Sequence, residues 1–236
     1  MFKDSGRLML LPLLLFLLLL ASVVEVRSDC ETDPLSTSPQ GIHLAFAGNS
    51  STEMVVSWFT CAMPQRGKGA VVTLSSGRSY EGSTSKLTRY HHDVKIEGLL
   101  PGRLYRGTVA GSSTRSFSFT TAPSSLDDAL FTAAVIGDMG VNNTEGTIKM
   151  LAKREANFTI HVGDISYADD AGHGFVPMPS SGNGYDRIYD AYQNMVEPFA
   201  SKGPYMTVGV ASRKERRLHA YCMLTPSHPR LLAITT

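Results

Sequence analysis

From residue 38 to residue 121 the chain alternates short apolar runs with turn residues. Gly41–Phe46, Glu53–Phe59, Ala70–Leu74, Tyr90–Ile96, Tyr105–Val109 and Ser116–Thr120 are rich in β-branched and aromatic residues, which suit a pleated, half-buried surface. Gly48-Asn49, Ser76-Gly77 and Leu100-Pro101-Gly102 punctuate them as turn signals. Strands at this spacing predict an all-β sandwich, with Trp58, the only tryptophan, in its core. The pattern then changes. Phe131–Ile136 and Phe158–Val162 read as buried strands, and Thr144–Ala156 between them places Ile148, Leu151 and Ala152 at helical spacing. The second part is therefore a strand–helix–strand unit, and the fold class is α+β, multidomain.

Each of these two strands ends in a Gly-Asp pair: Gly137-Asp138-Met139-Gly140 and Gly163-Asp164-Ile165-Ser166-Tyr167. In open α/β sheets ligands bind at the carboxyl ends of strands. Two carboxylates brought together there repel unless a cation lies between them, so the pair points to a metal site. Tyr167 sharpens the reading, because a phenolate suits a hard, highly charged ion such as ferric iron. The plainer alternative is that both aspartates merely cap loops of an ordinary α/β domain.

GDxG followed by GDxxY resembles the first two metal-binding blocks of the purple acid phosphatases. Tyr185–Gly209 is similar to the helix and strand that lead to the third block of that family. Ile96–Tyr105 is similar to the corner of fibronectin type III-like domains, and such a domain precedes the catalytic domain in plant-type members. The resemblance implies a fibronectin III-like sandwich at 38–121, a linker at 122–130, and the first half of an α/β metallophosphoesterase domain at 131–209. It implies that Asp138 and Tyr167 bind ferric iron. Asp164 would bridge to a second, divalent metal (zinc, manganese or iron), and the substrate would be a phosphate monoester hydrolysed in acid. No residue is assigned as a catalytic acid or base.

After Gly209 the family's Gly-Asn-His motif does not follow, and no Asn-His pair occurs anywhere in the chain. The later histidine blocks are missing too. The chain is thus expected to be truncated after the second block and inactive as it stands. Residues 210–236 form a basic tail, with Arg213, Lys214, Arg216, Arg217 and Arg230 against Glu215. Such a cluster can bind anions or nucleic acid, but the abrupt loss of pattern favours a retained intron, a frameshift or a faulty gene model. His219 and His228 lie in this tail outside any motif.

Net charge is +1 over 236 residues, which gives no reason to expect a nucleic-acid partner. Lys3 and Arg7 precede an apolar stretch, Leu8–Leu20, followed by small residues, so residues 1–28 read as a secretory signal peptide. An uncleaved anchor is the alternative, but Leu8–Val24 is short for a span and contains Pro12, and no stable membrane insertion is expected after cleavage. Secretion agrees with glycosylation triplets at Asn49, Asn142 and Asn157, of which Asn49 is the best placed. It also agrees with Cys30 and Cys61, which could form a disulfide, leaving Cys222 as the odd thiol. His91 and His92 are adjacent on a strand, face opposite sides and do not suit one ion. His161 is read as a buried packing residue and His173 as a solvated loop residue. The leading function is a secreted acid phosphatase. Competing readings are a non-catalytic binding module built on the sandwich, and a relative acting on pyrophosphates or diesters, which Tyr167 argues against.

Overall fold

A computed structural model describes residues 29–65, 69–110, 112–125, 132–142, 144–153, 156–168 and 184–208. The signal-peptide reading, most of the linker, His173 and the whole basic tail lie outside the described residues.

A short helix, α1 (Asp29–Thr32), precedes eight strands: β1 (Gln40–Phe46), β2 (Met54–Thr60), β3 (Val71–Leu74), β4 (Ser79–Glu81), β5 (Ser83–Lys86), β6 (Tyr90–Ile96), β7 (Leu104–Val109) and β8 (Ser116–Thr120). They form two four-stranded sheets, ordered β1-β2-β6-β5 and β4-β3-β7-β8, whose pairings are all antiparallel. The core between them is continuous. Ile42, Leu44, Met54, Val56 and Trp58 from one sheet meet Val72, Leu74, Val109, Phe117 and Phe119 from the other. The corner after β6 is pinned by the Tyr105 hydroxyl, which accepts the Leu100 amide at 2.8 Å, while the Tyr105 ring stacks on Phe119.

Six strands are legible in the sequence; the structure has eight. β4 and β5 are polar edge strands, Ser-Tyr-Glu and Ser-Thr-Ser-Lys, and carry no apolar alternation to betray them. Between them the chain changes sheets at Gly82, where a Cβ would overlap the Asp93 carbonyl oxygen. Only glycine fits there.

The second unit comprises β9 (Ala133–Gly140), α2 (Glu145–Lys153), β10 (Phe158–Ser166), α3 (Gly184–Ala200) and β11 (Tyr205–Val208). β10 is central, with β9 and β11 parallel on either side. Helices α2 and α3 cover one face through Ile148, Leu151, Tyr192, Val196 and Phe199. The other face leaves Val135, Val162 and Val208 at 67%, 49% and 59% exposed, although parallel sheets are ordinarily covered on both faces. β9 and β10 are longer than their apolar runs and carry through both Gly-Asp pairs, because the parallel ladder resumes at Ile165–Met139 and Ser166–Gly140. The aspartates thus lie within the last turns of the strands rather than beyond them.

α3 also docks against the sandwich, and this explains why β2 is buried at every position. One face of β2 meets the opposite sheet. The other lies on the side of α3, which packs on the neighbouring β1 and comes near Phe59 through Gln193. Gly41, at φ +61°, permits the approach: a Cβ there would sit 2.9 Å from both Gln193 and Phe59. Arg89 reaches Asp190 at 2.8 Å, Arg115 reaches Glu197 at 2.7 Å, and Asn194 donates to Gln40 at 3.1 Å.

His92 is fully buried against Trp58 and bonded at both nitrogens, to Thr60 at 2.9 Å and Thr84 at 2.8 Å. Burial first, then the neighbouring His91, lowers its pKa from 6.5 to about 4. His91 is likewise lowered to about 4, by burial and then by His43 and Arg89. The unfolded chain takes up protons that the folded one refuses, so stability is full above pH 6.5 and falls as pH drops toward 4. For His92 a shift of this size corresponds to about 3 kcal/mol. The melting temperature is expected to fall steadily between pH 6.5 and 4. It should fall less steeply in His92→Gln, and equal slopes in the two proteins would remove His92 from the account.

Candidate metal centre

Asp138 and Asp164 stand on adjacent parallel strands at their carboxyl ends, and both are exposed. They meet through the main chain. The Asp164 amide donates to Asp138 Oδ1 at 3.1 Å. The Tyr167 side chain also hydrogen-bonds Asp138. The Asp164 amide foremost, then the Asp138 amide and the Tyr167 phenol, hold the Asp138 carboxyl below the usual carboxylate range. One carboxylate thus gathers the other two residues of the predicted set.

The backbone is shaped for this. Gly163 sits at φ +107°, and a Cβ on it would overlap Asp138 Oδ1. Ser166 and Tyr167 follow at φ 64° and 52°, two consecutive non-glycine residues in the left-handed region. Each costs on the order of 1–3 kcal/mol and persists only where surrounding contacts impose it. The Tyr167 amide closes back onto the Ile165 carbonyl at 2.7 Å, and Gly140 leaves 3.1 Å between a would-be Cβ and the Tyr167 ring. The outcome is a tight turn that brings Tyr167 back over the end of β9.

Two carboxylates and a phenol, once the phenol is deprotonated, are hard, anionic oxygen donors, and the missing Cβ at Gly163 leaves room for Asp138. That chemistry fits a trivalent iron. Among the described residues no group of three His, Cys, Asp or Glu side chains could hold a metal. His161 is no ligand: Nδ1 and Nε2 are both engaged, with Tyr205 and with the Asp164 carbonyl.

Residues 39–121 match the sequence model described as "Purple acid Phosphatase, N-terminal domain". This is a purple acid phosphatase N-terminal region. A probable purple acid phosphatase of Arabidopsis thaliana is 30% identical over 189 residues, covering 75% of this chain and 39% of that protein. A phosphoenolpyruvate phosphatase of Allium cepa is 32% identical over 144 residues, covering 56% of this chain and 30% of that protein. The solved structure of purple acid phosphatase PPD1 from yellow lupin (Lupinus luteus) seeds shares the fold at a TM-score of 0.55 and 19% identity, over 73% of this chain and 35% of that one. The β-sandwich followed by a partial α/β unit is the purple acid phosphatase arrangement. The chain spans well under half the length of these curated relatives.

The remaining predicted positions are scattered. Cys30 and Cys61 are joined by a disulfide, with Cα atoms 5.2 Å apart, far from the metal centre in the sequence. Asn49 is exposed in the β1–β2 loop, where its side chain accepts the Ser51 amide. Asn142 is exposed beyond β9. Asn157 is half-buried, and its side-chain oxygen accepts the Thr132 amide at 2.8 Å, tying the starts of β9 and β10 together. Tyr192 and Tyr205, which contact His161, were not singled out by sequence reasoning. For Tyr192 the signal was available, since Ile188, Tyr192 and Val196 recur at four-residue spacing on the buried face of α3. For Tyr205 there was none.

Proposed function

We propose that Asp138, Asp164 and Tyr167 form the ferric half of a binuclear centre at which phosphate monoesters are hydrolysed in acid, in a protein of the secretory pathway. The observation that carries this is the convergence on one exposed carboxylate: Asp138 accepts the Asp164 amide and bonds Tyr167 beside a glycine that leaves room for it. Asp138 and Tyr167 would hold the iron and Asp164 would bridge to a divalent zinc, manganese or iron. When bound, the metals supply positive charge that holds phosphate oxygens, acidifies water and offsets charge on the departing ester oxygen. The chain's own part is positional. The bulge at Gly163–Asp164 and the left-handed turn at Ser166–Tyr167 hold the backbone that carries the proposed donors, which would lower the reorganisation cost of binding. The acid phosphatase relatives support the substrate class, and the disulfide and the exposed Asn49 support secretion.

We infer further that these three donors by themselves retain metal weakly, because three donors on one side cannot fix a binuclear geometry. The test is Tyr167→Phe. The iron-loaded protein is expected to absorb in the visible through tyrosinate-to-iron charge transfer, and Tyr167→Phe to bleach that band while the far-ultraviolet circular dichroism stays unchanged. A coloured Tyr167→Phe protein would end the assignment.

A further inference from the structure

The Asp164 carbonyl lies where the sheet stops supplying partners. Pairing of β10 with β11 ends at Val162, and the register with β9 shifts between Val162 and Ile165. A side chain takes over. His161 Nε2 lies 3.0 Å from the Asp164 carbonyl oxygen, and only a protonated nitrogen can make that bond. Nδ1 is therefore the acceptor. The Tyr205 hydroxyl lies 2.6 Å from it and the Tyr192 hydroxyl 3.1 Å, and the two hydroxyls are 2.6 Å apart. Three hydrogens serve three bonds in one consistent direction: Tyr192 donates to Tyr205, Tyr205 to His161 Nδ1, and His161 to the Asp164 carbonyl. His161, Tyr192 and Tyr205 are all buried. In such surroundings a fully satisfied polar chain is rigid, and losing one member leaves the others uncompensated.

We propose that the buried chain Tyr192–Tyr205–His161 is the positioning device of the metal centre, holding the Asp164 carbonyl so that the strained turn presents Asp164 and Tyr167 together. This rests on the metal reading above and adds residues that touch no metal. The strain makes the device necessary. Ser166 and Tyr167 occupy left-handed backbone only two and three residues beyond Asp164, and a turn of that cost relaxes unless its entry is fixed. The hydrogen bond from His161 fixes the entry, whereas the Asp164 amide on Asp138 fixes only the opposite side of the same peptide pair. A histidine serving merely to fill the core would need volume. This one is used for a directed N–H.

The test compares three variants in the intact chain. His161→Leu keeps volume and removes the donor. His161→Gln places an amide N–H near the Nε2 position. Tyr205→Phe removes one hydroxyl and guards against misfolding of the first. Two readouts are taken: hydrogen exchange at the Ile165, Ser166 and Tyr167 amides without metal, and ferric-iron titration followed by the visible tyrosinate band. His161→Leu and Tyr205→Phe are expected to exchange faster at those three amides only, and to bind iron roughly 10–100-fold more weakly with a shifted band. His161→Gln should restore most of both. Unchanged exchange at the turn in His161→Leu and Tyr205→Phe overturns the proposal, as does a His161→Gln variant no better than His161→Leu. A wild-type chain that binds no ferric iron would instead refute the metal reading, and the exchange data would still decide whether the chain of hydrogen bonds positions the turn.

Discussion

Replacing Asp164 by alanine is expected to abolish acid hydrolysis of p-nitrophenyl phosphate by a phosphatase that carries this region, and to weaken ferric-iron binding by the chain itself at least tenfold. The substitution is unusually clean. The Asp164 hydrogen bonds to Asp138 and His161 are made by its amide and its carbonyl, so alanine leaves both in place. The carboxylate is exposed, so its loss opens no cavity, and the stability change should stay within about 0.5 kcal/mol. What disappears is the donor proposed to touch both metals. Even outer-shell changes around metals cost 10–100-fold, and a shared ligand counts twice. The measurements are bound iron per chain, melting temperature and turnover. Near-wild-type turnover with unchanged metal content would refute the bridging role.

Arg89→Ala is expected to be the most destabilising single change outside the cores, by about 3–5 kcal/mol. Asp190 lies on the buried side of α3, with its side chain 4% exposed, and the Arg89 Nε sits 2.8 Å from its carboxylate. Removing the guanidinium takes the Arg89 charge away from a carboxylate inside the interface between α3 and the sandwich, and losing one member is what makes broken internal ion pairs so costly. The pair itself need not be stabilising. Arg89→Met combined with Asp190→Asn should therefore recover much of the loss, and that double-mutant cycle separates the pair's net worth from the penalty of orphaning one member. Chemical denaturation of the four proteins measures it. A loss under 1 kcal/mol for Arg89→Ala would mean that other contacts of Asp190 carry the charge.

The interface at stake joins the sandwich to the metal centre. α3 carries Asp190, Asn194 and Glu197 toward the sandwich and Tyr192 toward His161. One helix therefore touches both the sandwich and the hydrogen-bonded chain that reaches the Asp164 carbonyl. Neither contact was legible in the sequence, because both join residues more than thirty positions apart: the spacing of Ile188, Tyr192 and Val196 marks a buried face but not what that face meets.

Local pattern sufficed for much of the rest. The alternation in Tyr90–Ile96 and Ser116–Thr120 located those strands to the residue, since a two-residue period is imposed by the pleat itself. The helix at 144–156 was found slightly too long, and the observed Glu145–Lys153 keeps the same buried stripe. The two Gly-Asp pairs drew attention to Asp138 and Asp164 as the proposed donors, and Tyr167 joined them from its spacing. The sheet-switching edge at Gly82 stayed hidden, since polar edge strands are specified by their partners rather than by their own composition.

The amino-acid order alone determined where the candidate ligands stand: a carboxylate at the end of each parallel strand, a phenol three residues on, and an apolar pattern that builds a sandwich and a βαβ unit. Only the tertiary structure decided how these residues meet. His161 is in sequence a lone histidine in an apolar strand, and nothing local tells a packing role from a directed hydrogen bond. Folding brings Tyr192 from a helix and Tyr205 from the neighbouring strand to the same nitrogen, and it ends the β11 ladder at Val162, short of Asp164. The reason is physical. Hydrophobic period is a property of consecutive residues, whereas the satisfaction of a buried polar group depends on where distant segments leave their hydroxyls and their unpaired carbonyls.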